Sequence, residues 1–144
     1  MKNITRNALV PFSAKQMFEL IDDIDSYQLF VPYCQRSTVL TRSEKQVIAE
    51  LQVAKSGIAK SFTTKNTLKE YALIKMELVD GPFSHLSGNW TFIPLSDSAC
   101  KIELELNFEF SNKLATLAFS KIFSQLVHSM VSAFTERAEQ IYAK

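Results

Sequence analysis

The stretch Lys101-Ile102-Glu103-Leu104-Glu105-Leu106-Asn107-Phe108-Glu109-Phe110 alternates polar and apolar residues without a fault, and the pattern stops at Ser111-Asn112. From Lys113 to Tyr142 there is no glycine or proline, and the apolar residues recur at helical spacing. A change of period from two to about 3.6 is the signature of a half-buried strand feeding an amphipathic helix. A helix over Lys113–Tyr142 would span roughly 45 Å at 1.5 Å per residue. Only a long, curved sheet can cover it, and a sheet gripping one helix leaves an apolar hollow between them. The apolar side of that helix is expected to be Phe119, Ile122, Phe123, Leu126, Val127, Met130, Phe134, Ala138 and Ile141.

Upstream of this stretch the chain supplies the rest of such a sheet. Residues 2 to 10 form a first strand, and Ser13 with Gln16 makes a capping box that opens a helix ending near Asp22, with Phe12 able to staple onto Met17. A second short helix is expected from Asp25, boxed by Gln28, stapled by Ile24 on Leu29 and stopped by Pro32. Neither helix is long enough to be stable alone. Val39 lies in a second strand, and Val47, Ala49, Leu51 and Val53 alternate in a third. Phe62, Thr64, Asn66 and Leu68 share a face of the fourth, Ile74, Met76 and Leu78 of the fifth, and Leu86, Gly88, Trp90 and Phe92 of the sixth. Short connections make the sheet antiparallel with one covered face. The prediction is an α+β fold in the order β-α-α-β6-α, a seven-stranded antiparallel sheet wrapped round the C-terminal helix, with residues 1–144 as one domain.

Composition removes several function classes. The net charge of +1 gives no whole-molecule pull toward nucleic acid or anionic membrane. The two cysteines, Cys34 and Cys100, make neither a disulfide framework nor a ligand set. Met1–Arg6 lacks the apolar core of a signal peptide. No apolar run approaches the ~18 residues of a membrane span. A cytoplasmic, reduced setting is therefore expected. Asp22-Asp23-Ile24-Asp25 lacks the glycine and distal glutamate of a calcium loop, so helix capping is its expected role. His85 and His128 fall on outward faces, His128 beside Lys121, Ser124 and Thr135. No metal set, Cys–His pair or phosphate-cradling glycine loop can be assembled. The chain is expected not to be an enzyme.

Two features point to a cavity. Gly88 occupies an inward position between Leu86 and Trp90 where a core wants bulk, and Thr64 and Asn66 put polar groups on an inward face that a dry core rejects. An apolar hollow with a few polar groups is the usual form of a small-ligand site. Tyr27–Cys34, with Phe30, Val31, Pro32 and Tyr33, reads either as core or as the lid of that hollow. On this reading a filling substitution, Gly88→Leu, reduces ligand uptake and leaves the fold recognisable. From Arg36 to Lys75 eight Lys/Arg stand against three Glu, the solvated side of a sheet or a contact surface for RNA phosphates.

Asp23-Ile24-Asp25-Ser26-Tyr27 with Phe30-Val31-Pro32-Tyr33-Cys34 resembles the D-I-x-x-Y-x-x-F-[LV]-P-x-C segment of the coenzyme Q-binding START-domain family. Phe62-Thr63-Thr64-Lys65, Gly81-Pro82-Phe83-Ser84-His85-Leu86 with Trp90-Thr91-Phe92, and Ala133-Phe134-Thr135-Glu136-Arg137-Ala138 are similar to later motifs of that family, in the same order. Lys65 stands where arginine is frequent. The family includes bacterial ribosome association toxins and mitochondrial coenzyme Q-binding proteins. The resemblance implies a helix-grip fold, no obligatory cofactor, and ubiquinone or another polyprenyl lipid as bound ligand in support of respiration. Its ring would lie near the lid of Phe30, Val31 and Tyr33. Its tail would run along Phe123, Val127 and Met130, within walls that include Phe62, Thr64, Asn66, Gly88, Trp90 and Phe108. Transient membrane contact would serve ligand exchange. For toxin members it implies binding to the large ribosomal subunit and obstruction of subunit joining, for which Arg42, Lys45, Lys65 and Lys69 are the candidate contacts.

Overall fold

The computed structural model describes residues 1–143. Seven strands run as β1 (Lys2–Val10), β2 (Cys34–Arg42), β3 (Gln46–Lys55), β4 (Ile58–Lys69), β5 (Leu73–Asp80), β6 (Phe83–Ser96) and β7 (Ala99–Phe110). They form one antiparallel sheet in the order β1-β7-β6-β5-β4-β3-β2. Two α-helices, α1 (Ala14–Asp22) and α2 (Leu117–Tyr142), and a 3₁₀ helix, Ile24–Leu29, complete the elements of the described residues.

The β7 alternation sets the register. Ile102, Leu104, Leu106 and Phe108 are buried on the face that the helices cover, while Glu105 is exposed and Glu103 and Glu109 are half-exposed on the convex face. A one-residue slip would exchange the two sets. Pairing with β1 and β6 (Ile4↔Leu106, Trp90↔Leu104) extends the same apolar side across the sheet.

Helix α2 begins at Leu117, four residues later than the sequence pattern predicts. Asn112 accounts for the delay: its side-chain oxygen accepts from Ala115 N–H at 3.1 Å, and its carbonyl accepts from Thr116 N–H at 3.0 Å. Asparagine offers the chain a local turn in competition with the helix. The buried face is otherwise the predicted one, except at the end. Val131 is buried, Met130 is only partly so, and Ile141 is 41% exposed. There the helix is anchored instead by Tyr142, whose hydroxyl donates to the Gln16 carbonyl at 3.1 Å.

The capping box of α1 forms as read, Gln16 N–H to Ser13 Oγ at 3.0 Å and Ser13 N–H to Gln16 Oε1 at 3.0 Å. The second box does not. The 3₁₀ helix starts one residue earlier, and no side chain caps it. Leu29 is 70% exposed, so the expected staple is absent. Asp25 ties the segment to the sheet instead. Its carboxylate accepts from Val39 N–H of β2 at 2.8 Å, while Ser37 Oγ accepts from Gln28 N–H at 3.1 Å. These bonds cover the outer edge of β2, which would otherwise present unpaired backbone groups.

Candidate functional site

Between α2 and the concave face lies an apolar cavity of about 60 Å³. Because side chains alternate along a strand, the residues that reach it from five consecutive strands all lie on the inward face. These are Ala49 and Leu51 of β3, Phe62, Thr64 and Asn66 of β4, Ile74 and Met76 of β5, Leu86 and Trp90 of β6, and Leu104 and Leu106 of β7. Helix α2 contributes Phe123, Leu126, Val127 and Met130, and the 3₁₀ helix contributes Ile24 and Tyr27. The volume has room for a few water molecules. It is well below the roughly 300 Å³ at which sites for drug-sized ligands begin. A larger ligand therefore requires α2 or the lid to move.

The polar content of the cavity is small and defined. Thr64 Oγ1 donates to Asn66 Oδ1 at 3.0 Å, which leaves the Asn66 amide N–H groups without a protein partner among the described residues. Asn66 is 6% exposed. Tyr27 is committed elsewhere, its hydroxyl donating to the Ile21 carbonyl, and burial pushes its phenol well above the usual range. The cavity thus offers one amide donor pair and no acid or base.

Seven residues expected from the sequence to surround a ligand line the cavity: Phe62, Thr64, Asn66, Trp90, Phe123, Val127 and Met130. The others lie elsewhere. Phe30 packs edge-on against Phe134 at 5.4 Å and lies under the Arg137 guanidinium at 5.1 Å, lining a shallow surface cleft with Pro32. Val31 is buried in the core. Tyr33, in the left-handed region at φ 68°, stacks with Lys55, whose Nζ is 5.1 Å from its ring centre. Phe108 belongs to an aromatic cluster, 4.9 Å from Phe123.

Gly88 corrects the sequence reading. It is buried but does not line the cavity. A Cβ at this position would stand 2.2 Å from the Glu105 carbonyl oxygen and 2.8 Å from Leu106 Cδ1. Glycine is there because β6 and β7 approach too closely for a side chain, not because space was left for a ligand. Sequence reasoning missed Ile24 and Tyr27 as lining residues, together with Ala49, Leu51, Ile74, Met76, Leu86, Leu104, Leu106 and Leu126. All eight strand and α2 positions follow from alternation or helical spacing applied evenly.

The basic side of the sheet is not a continuous cationic patch. Arg42 bonds Asp22 through Nη1 to Oδ2 at 2.8 Å and through Nη2 to the Asp22 carbonyl at 2.8 Å. Desolvation raises the Asp22 pKa, against the lowering by this Arg42 contact. Lys65 is half-buried opposite Glu77, which also pairs with Lys75 at 3.4 Å. Lys45 and Lys69 are exposed and carry no ion pair among the described residues; Leu68 N–H donates to the Lys45 carbonyl at 2.7 Å, which holds the two segments together. His128 is exposed but not merely solvated, since its Nδ1 accepts from Arg6 Nε at 3.2 Å. Burial pushes the Cys34 thiol up to about 11 and raises Cys100, so neither is a reactive nucleophile. No cluster of metal-binding side chains occurs among the described residues, and no helix among them is long and apolar enough to cross a membrane.

Residues 10–135 match the family model described as polyketide cyclase / dehydrase and lipid transport. The chain belongs to this START-like family. Over 144 residues it is 52% identical to the Vibrio cholerae protein called ribosome association toxin RatA, covering 100% of both chains. It is 30% identical over 144 residues to a mitochondrial coenzyme Q-binding protein COQ10 homolog B of Xenopus laevis, covering 97% of this chain and 59% of that one. Among solved structures, the Zhui aromatase/cyclase of Streptomyces sp. R1128 superposes with a TM-score of 0.84 at 16% identity, covering 96% of this chain and 94% of that one. That likeness concerns the helix-grip fold alone. The similar chains named here as toxin or binding protein are not named as enzymes.

Proposed function

We propose that this protein acts by association with the ribosome, as a RatA-type toxin directed at the large subunit, and performs no chemical turnover. The observation that carries this reading is the 52% identity, over the full length of both chains, to a protein named for ribosome association. It reverses the order of the two functions suggested by the inward residues, because the similarity to the coenzyme Q-binding protein is lower, at 30%. The small, acid-free and base-free cavity supports a binding rather than a catalytic role.

Within the expected contact set Arg42, Lys45, Lys65 and Lys69, the two free lysines Lys45 and Lys69 are the stronger candidates for phosphate contact. Purified protein should co-sediment with large subunits at low salt, and its affinity should fall steeply as salt is added. Reversing Lys45 and Lys69 to glutamate is expected to lower the log–log salt slope by about 0.9 for each phosphate left without its lysine. No co-sedimentation at any salt would end the ribosomal reading.

A second reading rests on the cavity itself. The free Asn66 amide beside Thr64 in an apolar hollow suits a carbonyl-bearing head group with an isoprenoid tail, such as ubiquinone or another polyprenyl lipid. Each tail methylene buried would contribute about 0.8 kcal/mol. Asn66→Leu removes the donor, and lipid extraction with mass spectrometry should then find quinone in the parent and much less in the variant. Equal occupancy would separate the lipid from Asn66, and no polyprenyl lipid in the parent would remove the reading.

A further inference from the structure

The turn before α2 and the first turns of the helix carry exposed apolar side chains between lysines. Leu114 is 90% exposed and Leu117 58%, with Lys121 one turn further along the same side. A cleft of about 310 Å³ beside them is lined by Met1, Lys2, Phe108, Phe110, Lys113, Leu117 and Ser120, together with Glu109 and Thr116. Met1 is itself 72% exposed. Lys2 reaches over the helix, its Nζ 3.5 Å from Ser124 Oγ. Glu109 is the one acid lining the cleft, 3.9 Å from Lys113. From Lys113 to Thr135 the chain contains no aspartate or glutamate at all. Single exposed leucines are ordinary on a protein surface, but a leucine pair framed by lysines and facing outward from a helix start is a combined pattern.

We propose that this rim, Leu114 and Leu117 with Lys2, Lys113 and Lys121, docks on an anionic phospholipid bilayer. The partner follows from the pairing of the two chemistries. Leucine side chains gain nothing from a phosphate backbone, whereas at a membrane they enter the boundary between head groups and acyl chains while the lysines meet anionic lipid. RNA would favour exposed aromatic rings for base stacking, and the rings at this rim are already packed: Phe108 is 1% exposed and Phe110 lies on Phe83 at 4.8 Å. The inference gives a place to the membrane contact that ligand exchange would need, but its residues line neither the cavity nor the expected ribosomal contact surface.

Vesicle flotation tests it on the full chain, with phosphatidylcholine vesicles and with phosphatidylcholine–phosphatidylglycerol vesicles. The parent should float with the mixed vesicles only, and less as salt is raised. Lys113→Glu with Lys121→Glu should reduce partitioning about fivefold per lysine. Leu114→Ser with Leu117→Ser keeps every charge and should also abolish most of the binding, with an unchanged melting temperature because both side chains are exposed. Lys45→Glu with Lys69→Glu, on the far rim, and Asn66→Leu, in the cavity, should float as the parent does. Failure of the parent to bind mixed vesicles would overturn the proposal. So would wild-type flotation of the leucine variant, or loss of large-subunit binding in the Lys113/Lys121 variant with flotation intact.

Discussion

Replacing Gly88 with alanine is expected to lower the unfolding free energy by about 3 kcal/mol, and the melting temperature of a chain this size by roughly 10 °C. The added Cβ would sit 2.2 Å from the Glu105 carbonyl oxygen and 3.0 Å from Leu106 Cα. Neither atom can retreat cheaply, because β7 is hydrogen-bonded on both sides, to β6 and to β1. Gly88 pairs with Leu106 in that ladder and with Met76 across β5, so displacing it disturbs two ladders at once. Overpacking at a backbone contact costs more than at a flexible side chain. Gly57 is the control: a Cβ there meets nothing within 4 Å, and its φ of 82° carries only the left-handed penalty of about 1–2 kcal/mol. Denaturant melts of the two variants should therefore separate clearly, with Gly88→Ala the less stable. A Gly88→Ala protein as stable as the parent would show that β6 and β7 can separate at this point without cost.

That result would also invert an inference drawn from sequence alone. In the sequence, Gly88 marks missing bulk and hence a pocket; in the structure it marks two backbones in close approach. Both explanations satisfy an inward glycine, and only the distance to the neighbouring strand decides between them. The strands, by contrast, were readable because a period of two leaves no freedom: once Leu104 faces inward, so do Ile102, Leu106 and Phe108. Thr64 and Asn66 were legible for the same reason, as polar residues on a face that had to be inward. The lid was not. Phe30, Val31 and Tyr33 sit in irregular chain, where no period says which way a ring points. Phe30 turns to Arg137 and Tyr33 to Lys55, each held by a cation over its ring. Nor could the sequence say which lysines are free. Arg42 is occupied by Asp22, twenty residues away in the chain, and such a partner emerges only when the last residue of α1 meets the end of β2.

Phe123→Ala should be the variant in which stability and binding move in opposite directions. Phe123 is 2% exposed and touches a ring on nearly every side: Phe62 at 5.6 Å, Phe83 at 5.0 Å, Phe108 at 4.9 Å and Phe110 at 5.9 Å. Phe62 belongs to the cavity wall, while Phe108 and Phe110 floor the cleft at the start of α2. The Phe123 ring thus stands between the cavity of about 60 Å³, which it lines, and the rings that floor the cleft of about 310 Å³. Its removal should cost about 3–5 kcal/mol, less than or comparable to the 5–15 kcal/mol that holds a typical domain folded, so a weakened but folded protein is expected at low temperature. The two spaces then join into one apolar channel lined by Phe62, Val127 and Phe108. Short-chain ubiquinone should bind the variant more tightly than the parent, because the ring no longer has to be displaced before a ligand enters. A ligand at a hundred times its dissociation constant returns about 2.7 kcal/mol of the lost stability, which thermal melts with and without the quinone would read directly. Recovery in Phe123→Ala larger than any shift in the parent would identify Phe123 as the barrier to the cavity. A destabilised variant that the quinone does not rescue would leave Phe123 as core packing and remove this route into the site.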